Sequence, residues 1–253
     1  SQNFNHLIKS VNIDYKMFIT LNESLDVIDV PEVWTQLDGY GDNITGDNIT
    51  IAIIDTGIDY THGDLGGCFG AGCKVVGGYD VANSDNDPMD DQGHGTHCAG
   101  IAAGNGTLKG VAPDAKLYAY KVLDSSGSGY TSDIIAGVEL SMDPNNDSDL
   151  SDHVDVISMS LGGSGDPFDS LSQACTNAMK AGVTVVIAAG NDGPNNETIS
   201  CPGCAPDVIT VGATYKKDHQ VISTLQNIFL EFLSNKTGEA FMGLTNEEIE
   251  VAL

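Results

Sequence analysis

A chain of 253 residues with 41% hydrophobic content and 30 glycines can bury one full core or two small ones. It holds no apolar run near the roughly 20 residues of a membrane span, and its formal charge of −26 sets 36 acidic residues against ten lysines and no arginine. That balance argues against a nucleic-acid partner, because phosphate contacts rely on clustered Lys and Arg.

Residues 11–20 read as a strand, and Pro31-Glu32-Val33-Trp34 opens a short helix with proline in its favourable first turn. After a turn-rich stretch, residues 49–54 form a continuous β-branched run, as in a strand buried on both faces, and end on Asp55-Thr56-Gly57. A second strand is expected at 74–79. An acidic loop, 85–91, then leads into Gly93-His94-Gly95-Thr96-His97-Cys98-Ala99-Gly100. This run of small residues reads as a helix packed so closely that only Ala, Gly and Cys fit its contact face. Its glycines let another backbone, or a substrate, approach the imidazole of His94.

Residues 115–123 read as a strand, and 131–142 as a helix with Ile134, Ile135, Val138 and Met142 at helical spacing. A strand at 154–159 ends at Ser160-Leu161-Gly162-Gly163. The helix expected at 168–182 puts Leu171, Cys175, Ala178 and Met179 on one face and stops at Gly182. A strand at 183–188 runs into Ala189-Gly190-Asn191-Asp192-Gly193-Pro194, and the last clear strand is 208–212. Buried strands alternating with helices predict an α/β fold: a doubly wound, mainly parallel sheet with helices on both faces.

In such sheets ligands sit beyond the carboxyl ends of the strands. Asp55, Ser160 and Asn191 each fall where a strand has just ended. A buried carboxylate on one imidazole nitrogen fixes the tautomer and frees the other nitrogen as general base, which suits Asp55 and His94. Asn191 suits a side-chain amide donor to an oxyanion. Singly, each residue is equally a turn former. His94, His97 and Cys98 also admit a metal reading, but a structural zinc needs a fourth ligand.

The segments Ala52-Ile53-Ile54-Asp55-Thr56-Gly57-Ile58-Asp59, Gly93 to Gly100 and Ala188 to Pro194 resemble those of subtilisin-like serine proteases (subtilases). Gly110-Val111-Ala112-Pro113-Asp114-Ala115 and Met159 to Gly163 match in the family's order as well. The resemblance implies a serine endopeptidase with a subtilisin-like fold. Asp55 would be the triad carboxylate, His94 its base and Asn191 the oxyanion amide. Gly127-Ser128-Gly129 and Ser160-Leu161-Gly162 would hold the substrate backbone by strand addition. It also implies a propeptide tail at 1–28 with the chain's own propeptide as a partner, and a partial protease domain at 29–217. Beyond Lys217 the resemblance stops, and residues 218–253 read as a divergent helical tail with helices at 222–233 and 244–253. No organic cofactor is expected, and no metal beyond a structural calcium ion, for which Asp64 resembles a ligand.

The family's nucleophile lies in a Gly-Thr-Ser-X-Ala segment. The two Gly-Thr pairs here, at 95–96 and 106–107, are followed by His and Leu. The expectation is a domain incomplete at its C-terminus and inactive alone; the alternative is a peptide-binding pseudoprotease. An aspartic-protease reading of Asp55-Thr56-Gly57 needs a second copy or a homodimer; only one copy is present, and the His94 and Asn191 stretches are left unexplained. Cys68/Cys73 and Cys201/Cys204 are expected to form local disulfides, with Cys98 and Cys175 free. Together with seven Asn-X-Ser/Thr sequons, this suits a secreted or cell-surface protein.

Overall fold

The computed structural model describes residues 21–193 and 195–213. The strand expected at 11–20 and the helices expected at 222–233 and 244–253 lie outside them. Six strands, β1 (Thr50–Asp55), β2 (Val75–Asp80), β3 (Lys116–Lys121), β4 (Val156–Met159), β5 (Thr184–Ala188) and β6 (Ile209–Val211), form one sheet in the order β2-β3-β1-β4-β5-β6. Every neighbouring pair is parallel. The chain winds from β1 toward one edge, then returns and places β4 on the other side of β1. The carboxyl ends of β1 and β4 therefore bound the crevice where the winding reverses, which is where such sheets bind ligands.

Successive residues of a strand point to opposite faces, so the apolar run at 51–54 of β1 feeds two cores. Ala52 and Ile54 join one cluster with Tyr120, Val138, Ile157 and Ile187. Ile51 and Ile53 join the other with Ile58, Leu65, Ala99 and Leu117. Helix α3 (His94–Ala103) lies against β1 and β3 through the second cluster, so its buried face is Ala99 and Ala103. Helices α4 (Thr131–Met142) and α5 (Ser170–Ala181) pack on each other over the first cluster. Two short helices, α1 (Leu21–Val27) and α2 (Val30–Val33), precede the sheet, and Pro31 lies in the first turn of α2 as expected.

Several boundaries differ from the sequence expectation by a residue or two, and for two of them the reason is identifiable. β4 starts at Val156 because the Asp155 carboxylate turns back to β1, accepting from the amide and hydroxyl of Thr50 at 2.8 Å each. α5 starts at Ser170 because Asp169 is its N-cap and accepts from Ser172 N at 2.8 Å. Gly182 closes α5 in the left-handed region at φ 112°. Cys68–Cys73 and Cys201–Cys204 are disulfides with Cα separations of 5.6 and 4.7 Å, while Cys98 and Cys175 are free thiols.

Candidate active site

β1 delivers Asp55 to its last position, fully buried. Asp55 Oδ1 accepts from Thr56 N and lies 2.7 Å from His94 Nδ1. A carboxylate only accepts, so Nδ1 carries the proton and Nε2 keeps its lone pair. Nε2 has no hydrogen bond to protein among the described residues, and the His94 side chain is 45% exposed at the cleft.

His94 is the first residue of α3, and its place follows from how that helix begins. The first amides of a helix have no partner within it. Here His94 N donates to Gln92 Oε1, Gly95 N to Thr56 Oγ1 and Thr96 N to Asp90 Oδ2. The two glycines beside His94 serve different needs. Gly93 turns the chain at φ 104° in open space. Gly95 is a contact glycine: a Cβ there would stand 2.1 Å from Gly57 O and 3.2 Å from Asp55 Cβ. The helix end therefore rests directly on the loop that leaves β1.

A cleft of about 1120 Å³ opens over these residues. It is lined by His94, Gln92 and Thr56 together with wall segments Ser126–Gly129, Ser160–Gly165, Ala188, Gly190–Asp192 and Ser200–Pro202. Asp55 lies beneath, and every other catalytic or substrate-binding candidate (His94, Gly127, Ser128, Gly129, Ser160, Leu161, Gly162 and Asn191) reaches this one cleft. The metal reading meets a different group. An Asp55 oxygen, His94 and Cys98 Sγ lie within 4.8 Å of one another, while His97 is exposed and is not among them. Burial, then the charges of Asp55 and Asp90, push the Cys98 thiol up to about 11, against an opposing contact from Ser160.

The residues around Asp64 do not fit a calcium ion. Its oxygens accept from Thr107 N at 2.8 Å and Leu108 N at 3.2 Å, and its carbonyl accepts from Asn105 N. Calcium takes six to eight oxygen ligands, and this loop faces the carboxylate with N–H donors instead.

Sequence reading missed two charged residues behind the site. Lys121 ends β3 and is 1% exposed; its ammonium donates to Thr56 O (2.9 Å), Leu123 O (3.0 Å) and Asp91 Oδ1 (2.6 Å). Asp90 gathers hydrogen bonds from both sides of the Asp55–His94 junction. Its position four residues before His94, in the loop that enters α3, was the one signal available.

Residues 46–238 match the model of the subtilase family (Peptidase S8), a match that runs past Lys217. The chain is 43% identical over 183 residues to serine protease AprX of Bacillus subtilis (strain 168), covering 68% of this chain and 40% of that one. It is 43% identical over 204 residues to the minor extracellular protease Vpr of the same organism, covering 77% of this chain and 23% of Vpr. Among solved structures it is similar to Sphericase, with a TM-score of 0.59 and 36% identity, over 74% of this chain and 61% of that one. The chain thus spans well under half the length of these two Bacillus relatives. A buried Asp on an imidazole, a cleft at the reversal of a parallel sheet and a family match over residues 46–238 agree, and the chain belongs to the subtilase family.

Proposed function

We propose that these residues carry the Asp–His and oxyanion parts of a serine endopeptidase that hydrolyses peptide bonds in polypeptides. The observation that carries this reading is the fully buried Asp55 carboxylate 2.7 Å from His94 Nδ1, which leaves Nε2 as the nitrogen at the cleft. In the reaction, Nε2 takes the proton of a serine hydroxyl as that oxygen attacks the scissile carbonyl. Asp55 stabilises the imidazolium so formed, and His94 then returns the proton to the leaving amine. Asn191, at the exit of β5 in the cleft wall, donates its side-chain amide to the oxyanion. Gly127–Gly129 and Ser160–Gly162 both line the cleft, where an extended peptide can pair with backbone.

The serine itself is not supplied by a Gly-Thr-Ser-X-Ala run within these 253 residues. A polypeptide of these residues alone is therefore proposed to bind peptide without cleaving it. The two disulfides and the extracellular naming of Vpr support an exported protein.

The test is labelling with a serine-directed fluorophosphonate, run on protein purified from its source and on the 253-residue polypeptide. The expected result is labelling of source protein that carries a Gly-Thr-Ser-X-Ala peptide, abolished by His94→Ala, and none of the polypeptide. Source protein of about 26 kDa that binds peptide and never labels would replace this reading with a pseudoprotease. Labelling of the bare polypeptide that His94→Ala removes would overturn its inactivity.

A further inference from the structure

Asp90 lines no part of the cleft, yet five hydrogen bonds converge on its half-buried carboxylate. Oδ1 accepts from Thr56 Oγ1 at 2.9 Å, Gln92 N at 3.0 Å and Gly93 N at 2.8 Å. Oδ2 accepts from the amide of Thr96 at 2.9 Å and from its hydroxyl. Both hydroxyls relay the link onward. Thr56 Oγ1 accepts from Gly95 N at 2.8 Å, and Thr96 Oγ1 accepts from Asp59 N at 2.8 Å.

These contacts join two pieces of backbone that must be in register. Thr56 follows Asp55, while Gly95 and Thr96 follow His94. One carboxylate therefore ties the exit of β1 to the start of α3, directly behind the Asp55–His94 bond. All five partners donate, a pattern that favours the ionised carboxylate, which only accepts. Asn in its place turns an N–H₂ toward either the Thr56 side or the Thr96 side, so one set of donors must lose its partner.

We infer that Asp90 is a positioning residue for the Asp55–His94 pair: its bridge through Thr56 and Thr96 holds the helix end at the distance that keeps His94 Nδ1 protonated on Asp55. The inference rests on the reading of that pair as catalytic. Its test reads the imidazole ring and not hydrolysis, so failure of either idea is distinguishable from failure of the other. A residue that only caps α3 would change stability and leave the ring tautomer where it was, because the tautomer reports the hydrogen bond to Asp55.

The experiment is a long-range ¹H–¹⁵N correlation on the His94 ring of the 253-residue chain at neutral pH, with circular dichroism as the check on folding. Native chain and Thr56→Ser, which keeps the hydroxyl, are expected to hold the Nδ1–H form. In Asp90→Asn and Thr56→Val the ratio of Nδ1–H to Nε2–H is expected to fall roughly tenfold, the scale of one hydrogen bond lost. If Asp90→Asn does not fold, the Thr56→Val and Thr56→Ser pair makes the same comparison. A ratio unchanged in folded Asp90→Asn or Thr56→Val overturns the inference, as does an equal loss in Thr56→Ser.

Discussion

Lys121 sits where β3 meets the loops of the site, and two of its three acceptors are the carbonyls of Thr56, which follows Asp55, and of Leu123, whose amide donates to Asp55 O. Lys121→Met keeps the length of the side chain and removes the donor. Thr56 O and Leu123 O then lose their partner, while Asp91, half-exposed, turns to water. We expect a loss of about 2–3 kcal/mol in urea unfolding at unchanged m-value. A second expectation concerns the thiols. Burial pushes Cys98 up to about 11 and Cys175 to about 12, so at pH 8 about one Cys98 in a thousand is thiolate. Ellman titration of native chain at pH 8 should show no fast thiol, and unfolded chain should show two rather than six. Because the thiolate is the reactive form below the pKa, the native rate of Cys98 should climb about tenfold per pH unit toward pH 11. Much of the site was legible at this scale. Asp55, Ser160 and Asn191 could be placed on one sheet edge because each follows a buried apolar run, and a run of that kind fixes where a strand stops. Lys121 was not legible. A lysine closing a strand pattern reads as solvated, and the carbonyls it caps are brought together by chain crossings that periodicity does not encode.

The elements explain why His94 cannot drift. α3 has three side-chain acceptors for its first three amides and a glycine at its tightest contact. A methyl group at Gly95 meets Gly57 O, a backbone atom that cannot turn aside. Gly95→Ala should therefore lower stability by about 3 kcal/mol or more, whereas Gly93→Ala acts only through its positive φ, at about 1 kcal/mol. Paired thermal melts would check the order, and equal losses would show that contact at Gly95 is relieved elsewhere. The sequence showed that this helix is made of small residues, which follows from its approach to β1 and β3. It did not show which glycine is tight. That depends on Gly57 and Asp55 arriving from 38 and 40 residues earlier in the chain.

Across the whole molecule the dominant physical fact is the net charge of −26, 36 acidic residues against ten lysines, of which Lys74 and Lys121 are engaged with carbonyls inside the fold. Like charges spread over one small surface destabilise the compact state and are screened by salt, with a Debye length of about 8 Å at physiological ionic strength and about 3 Å at 1 M. The melting temperature should rise by several degrees between about 0.05 and 1 M sodium chloride, read by circular dichroism. A flat or falling trend would mean that paired charges outweigh the repulsion. The class of fold was legible at this scale, because alternating buried strands and helices admit few arrangements. The sheet order was not, since nothing in the apolar runs says on which side of β1 the returning strand β4 will lie.

That order separates two kinds of inherited change. Asp55 and His94 sit on the central strand and on a helix fastened to it, whereas the cleft walls are segments leaving β3, β4 and β5. Under the proposed function, substitutions in the walls would alter which peptides fit without touching the Asp55–His94 bond. On that same proposal, a lineage built on this plan can diversify the peptides it binds while the pair that moves the proton stays fixed, with Asn191 as the one proposed catalytic residue on the wall side.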